Sequence, residues 1–135
     1  MLVVDASAVA DLLLGRASGT AVAARLRDHD FDLHAPHLID VEVLSALRRV
    51  VAAGTASAAR ASEAVADFLD LPIARYAHDT LAPRIWELRA NFSAYDAAYV
   101  ALAEVIADGG APLLTADGRL ARAVKAHTKL RVMRA

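Results

Sequence analysis

Short apolar runs and longer amphipathic segments alternate along the whole chain. Residues 2–5 are apolar enough for burial on both sides, and 31–36, 71–77, 111–115 and 130–133 repeat the theme, so each reads as a strand. Between them, apolar positions recur every three or four residues and predict helices over 6–15, 18–29, 37–54, 55–70, 78–90, 93–110 and 116–127. The punctuation agrees. Gly15, Gly54 and the Gly109–Gly110 pair close helices, Pro36 opens one, and Pro83 fits the first turns of another. Strands separated by helices imply βαβ units. The predicted fold is α/β, with helices on both faces of a mostly parallel sheet.

Composition narrows the class. A chain of 135 residues, 57% hydrophobic and 23% charged, is long and apolar enough for one domain with one substantial core. The chain has no cysteine, which excludes disulfides, thiolate nucleophiles and cysteine-ligated zinc and fits a reducing cytoplasm. Neither a secretory signal nor a membrane span is expected, because no basic leader or sufficiently long apolar run is present. The net charge of −1 is unevenly spread: after Asp117 come Arg119, Arg122, Lys125, Lys129, Arg131 and Arg134 with no acid, leaving −7 on the first 117 residues. Such a basic segment suits either a solvated helix or a phosphate-facing patch.

The candidate chemistry lies in the acids. Asp5 follows the apolar residues Leu2 to Val4 directly, and Asp117 follows Leu113, Leu114 and Thr115. A carboxylate at the end of a buried strand is costly unless it is paired, hydrogen-bonded or bound to a cation. In open α/β sheets such strand ends are where ligands bind. Glu42 sits at the edge of the apolar arc of its helix, near Arg49, and Asp96 lies in the first turn after Ser93. Each acid alone has a structural explanation as a helix cap, a first-turn charge or a surface ion pair. Four of them at one sheet edge would repel one another unless cations intervened. Oxygen-only donors favour Mg²⁺ or Mn²⁺ over zinc or copper, and such ions serve phosphoryl chemistry.

The segments VVDASA, APHLIDVEVLSALRR, SAYDAAYVALAE and PLLTADGRLARA, in this order, closely resemble PIN-domain proteins, especially the VapC-type toxins of bacterial toxin–antitoxin pairs. The resemblance spans essentially the whole chain. It implies a single PIN-like domain over 1–135, three-layered α/β/α with about five strands. It also implies a divalent-metal-dependent endoribonuclease using Mg²⁺ or Mn²⁺, with Asp5, Glu42, Asp96 and Asp117 as catalytic metal ligands. Ser7 and Thr115 fall at supporting positions. The implied partners are RNA, a cognate VapB-type antitoxin and a second copy of the chain, in the cytoplasm and without a membrane.

Among the remaining residues, Arg48, Arg49, Arg119 and Arg122 are candidate phosphate contacts, and Tyr95 is a candidate RNA contact. Tyr99, Ile85, Trp86 and Leu88 read as packing. His34 and His37 are separated by a strand-to-helix change and read as non-ligands. Three other readings compete: a PIN-like binding module without turnover, a haloacid-dehalogenase-type phosphatase with Asp5 as nucleophile, and a response-regulator receiver. The phosphatase wants a second acid where Ser7 stands. The receiver wants paired acids near the first strand and a lysine after the last.

Overall fold

The structure, a computed structural model, describes all residues from Met1 to Ala135. Five strands, β1 (Leu2–Val4), β2 (Leu33–Pro36), β3 (Ile73–Tyr76), β4 (Leu113–Thr115) and β5 (Val132–Arg134), form one sheet in the order β3-β2-β1-β4-β5. Every pairing is parallel. Seven helices connect them: α1 (Ala6–Leu13), α2 (Gly19–Asp28), α3 (Ile39–Ala52), α4 (Ala58–Asp70), α5 (Ala82–Glu87), α6 (Ala94–Val105) and α7 (Gly118–His127). Helix α1 packs on α2, α3 and α4, whereas α6 crosses β1, β2 and β4 with α5 against it. Helix α7 lies against β4 and β5, and the right-handed crossover rule for parallel strands assigns α1–α4 to one face and α5–α7 to the other.

Covered on both sides, β1, β2 and β4 are buried at every position, which is why their sequences are mostly apolar, with His34 and Thr115 as the buried polar exceptions. Val3, Val4, Leu113, Leu114, Ile39, Leu102 and Tyr99 belong to one continuous core. The strand order places the site. From β1 the chain steps outward through β2 and β3, then returns to lay β4 on the other side of β1. The reversal leaves a crevice between the carboxyl ends of β1 and β4. Asp5 and Asp117 stand at that crevice.

Two helices are markedly shorter than the sequence predicts, one of them α6, which ends at Val105 rather than at the Gly109–Gly110 pair. The segment 78–90 is helical only over Ala82–Glu87. Pro83 sits in its first turn, where its ring forbids continuation of the helix upstream. Turns closed by Leu81 N–H to His78 O and Asn91 N–H to Leu88 O flank it. No helix is long and apolar enough to cross a membrane.

Candidate active site

Asp5 is the most constrained acid. It caps α1, its Oδ1 accepting from Ala8 N at 2.9 Å and from Ser7 Oγ at 2.7 Å, and its Oδ2 accepts from Thr115 Oγ1 at 2.5 Å. Ser7 Oγ also accepts from Ala116 N at 3.0 Å, and Thr115 Oγ1 from Asp117 N at 2.9 Å. The two hydroxyls therefore staple the end of β1 to the end of β4 and hold Asp5 between them. Asp5 is only 5% exposed. Burial raises its carboxyl to about 6 against the opposing pull of its three donors, and the charge of Asp117 adds to the rise.

The other acids arrive from three helices. Asp117 caps α7, its Oδ1 accepting from Arg119 N at 2.8 Å and Leu120 N at 3.3 Å. Asp96 lies in the first turn of α6, whose cap Ser93 accepts from the Asp96 N–H at 3.2 Å. Burial raises the Asp96 carboxyl; Arg119 opposes the rise and Asp117 adds to it. Glu42, on the first turn of α3, is raised by burial and by Asp96, while a hydrogen bond from Tyr99 and the charge of Arg49 pull it down. Asp5 and Asp117 thus serve as helix caps as well as candidate ligands.

All four acids line one cleft of about 260 Å³, together with Ser7, Ala46, Arg49, Tyr99 and Arg119. No three of them stand close enough, in their present rotamers, to share one ion. The donor set is nevertheless that of a hard divalent cation, since every acid in the cleft offers oxygen alone and neither histidine nor sulfur lines it.

Of the candidate phosphate contacts, Arg49 and Arg119 line the cleft. Arg48 does not. One residue along a helix turns the side chain by about 100°, and Arg48 lies instead beside Leu44, Leu47, Val51 and Val65 on the α3–α4 surface. Arg122 is exposed on α7 and outside the cleft lining. Tyr95 projects into solvent at 66% exposure. His34 is buried between Tyr76 Oη at 2.7 Å and Asp32 Oδ1 at 2.8 Å, and neither it nor His37 lines the acidic cleft.

Tyr99 carries more than packing. Its ring is buried and its hydroxyl donates to Glu42 Oε1 at 2.7 Å. The i, i+3 spacing from Asp96 puts it on the same helix face as that acid, and a buried tyrosine hydroxyl needs a partner. Those two signals were available to find it. Tyr99→Phe is expected to cost about 1–2 kcal/mol of stability through the lost charge-assisted bond. It should lower turnover by roughly tenfold as Glu42 loses its anchor. Thermal melts and single-turnover kinetics measure the two effects.

Comparison with known proteins follows the same lines. The PIN domain matches residues 2–126. Ribonuclease VapC12 of Mycobacterium tuberculosis is 43% identical over 122 residues, covering 90% of this chain and 91% of its own. VapC ribonuclease Mb0985 of Mycobacterium bovis is 41% identical over 133 residues, covering 98% of each chain. The crystal structure of PAE2754 from Pyrobaculum aerophilum superposes with a TM-score of 0.70 at 25% identity, over 97% of this chain and 81% of that one. With an acidic cleft at the switch point of a parallel five-stranded sheet, and with relatives this similar over nearly its full length, the chain belongs to the PIN-domain family.

Proposed function

We propose that the chain is a single-domain, VapC-type endoribonuclease toxin that hydrolyses RNA phosphodiester bonds in the cytoplasm with a divalent cation, Mg²⁺ or Mn²⁺. A VapB-type antitoxin would neutralise it, and a homodimer is the expected assembly. One observation carries the catalytic reading: four carboxylates from four separate elements open onto one cleft, at the strand ends where an α/β sheet binds its ligand. The similarity to VapC ribonucleases over most of the chain supports the same activity.

Asp5, Glu42, Asp96 and Asp117 are the side chains that would hold the cation. Bound there, it would acidify water for attack and neutralise charge at the phosphate. Ser7 and Thr115 fix Asp5 and leave it little freedom to turn away. Tyr99 does the same for Glu42. Arg49 and Arg119 offer guanidinium groups to an RNA backbone and offset part of the charge of the four carboxylates, leaving the rest of the balance to the cation. The rival enzymatic reading fits less well. Ser7 Oγ is committed to Asp5 and Ala116 N, at the position where a haloacid-dehalogenase-type site wants a second carboxylate.

Purified protein incubated with RNA in Mg²⁺ or Mn²⁺ should cut it, and EDTA should abolish cutting. The new ends should be 5′-phosphate and 3′-hydroxyl, because water rather than the ribose 2′-hydroxyl attacks. A 2′,3′-cyclic phosphate, or cleavage that survives EDTA, would defeat this mechanism. Binding without cleavage under any of these ions would favour the binding module.

A further inference from the structure

Arg119 stands where the acids want a cation. Its Nη2 lies 3.8 Å from Asp96 Oδ2 and 4.0 Å from Asp117 Oδ2, so one guanidinium spans acids on α6 and at the start of α7. Neither contact is short enough to be a hydrogen bond. Arg25 and Arg60 pair as loosely, at 3.8 and 3.9 Å, but each with a single acid of its own helix; three other arginines are held tightly. Arg16, Arg75 and Arg84 close on carboxylates at 2.8, 2.7 and 2.6 Å. Arg119 is pinned at its base, where its backbone N–H donates to Asp117 Oδ1, but its side chain is 78% exposed. A long, solvated, loosely held cation beside two crowded carboxylates balances charge without occupying the donors.

We infer that Arg119 is a displaceable internal counter-cation: it neutralises Asp96 and Asp117 while the divalent ion is away, and swings out to an RNA phosphate when that ion arrives. The inference rests on the reading of the cleft as a cation site. The guanidinium and the ion compete for the same pair of acids, so each weakens the other's hold. An RNA phosphate that captures the guanidinium removes the competitor. Ion and RNA then favour one another's binding, and linkage makes the effect reciprocal.

The test separates this from the cation-site reading. Mn²⁺ affinity is measured by calorimetry, without nucleic acid, for wild type, Arg119→Gln and Arg119→Lys at one ionic strength. Arg119→Gln should bind Mn²⁺ roughly three- to tenfold more tightly, since a positive charge a few ångströms from a divalent ion is removed. Arg119→Lys, which keeps the charge, should stay near wild type. Affinity for a short single-stranded DNA, a phosphate chain that lacks the ribose hydroxyls, is then measured with and without Mn²⁺. Mn²⁺ should strengthen it more in wild type than in Arg119→Gln. Equal or weaker Mn²⁺ binding by Arg119→Gln overturns the competition, and equal strengthening overturns the release to phosphate. A wild type that binds no Mn²⁺ overturns the cation-site reading itself and this inference with it.

Discussion

Asp5→Asn should be catalytically dead and, in chelator, more stable than the parent. The carboxylate is buried at the junction of β1, β4 and α1, and burial dominates its raised carboxyl. At pH 7 the folded protein must keep that group charged with no cation beside it. Asparagine keeps the shape and one oxygen for the Ala8 N–H and the Ser7 hydroxyl but removes the charge. It also loses the bond Thr115 Oγ1 donates to Oδ2, which an amide nitrogen cannot accept. The expected gain in EDTA is roughly 1–3 kcal/mol, several degrees in melting temperature for a domain of this size. Cleavage should fall on the order of 10²–10³-fold or more, as when a group that stabilises transition-state charge is removed. Most site substitutions cost stability, so loss of activity with a gain in stability is diagnostic of a strained functional group. A variant that melts well below wild type in EDTA would instead make Asp5 a structural cap.

The second large effect is on pH. Asp5 is raised from 3.8 to about 6 on folding, so the folded state holds its proton more tightly than the unfolded state. Its stabilising contribution is therefore complete below about pH 3.8 and fades as pH climbs through about 6. Roughly 3 kcal/mol disappears across that window in metal-free protein. Glu42 and Asp96, also raised, act in the same direction. Asp32, lowered by the N-terminal amine and His34, acts in the opposite one. The clean observable is the difference between wild type and Asp5→Asn in EDTA, because groups common to both cancel. That difference should widen in favour of the variant from pH 4 to pH 7. Mn²⁺ should reverse the trend, since the ion competes with protons and stabilises wild type more as pH rises. A difference independent of pH would mean that Asp5 titrates alike in folded and unfolded chains.

Much of this was written in local pattern. Leu2–Val4 and Leu113–Thr115 are buried on both faces, so their apolar runs announce β1 and β4, and the acids that follow stand out against them. Helix stops at Gly15 and Gly54, both with positive φ, were legible because glycine adopts that backbone without penalty. Strand order was not legible. Periodicity tells which residues are buried but not which strand lies beside which, and the return of β4 to β1 alone creates the crevice. The last strand slipped for a related reason. The run 130–133 looks extended, yet pairing aligns Thr115 with Arg134, so β5 covers Val132–Arg134. Glu42 and Tyr99 are 57 residues apart, and nothing in a helical pattern says where a buried hydroxyl finds its partner. Arg48 and Arg49 are neighbours in sequence but project to different sides of α3.

The central claim is that the four carboxylates form one cation-binding centre rather than four separate caps and surface charges. Melting curves of wild type and Asp96→Asn, each in EDTA and in saturating Mn²⁺, test it most directly. If Asp96 faces Glu42, Asp5 and Asp117 across the cleft, its loss relieves the burial of a charge and a repulsion that Arg119 offsets only in part, and the variant melts at or above wild type in EDTA. Mn²⁺ then stabilises wild type more than the variant, because a ligand that binds only the folded state adds stability according to its affinity. If Asp96 served only the helix dipole, its loss would cost about 0.3–1 kcal/mol in EDTA. A variant that is less stable than wild type in EDTA, yet gains as much from Mn²⁺, would contradict the account.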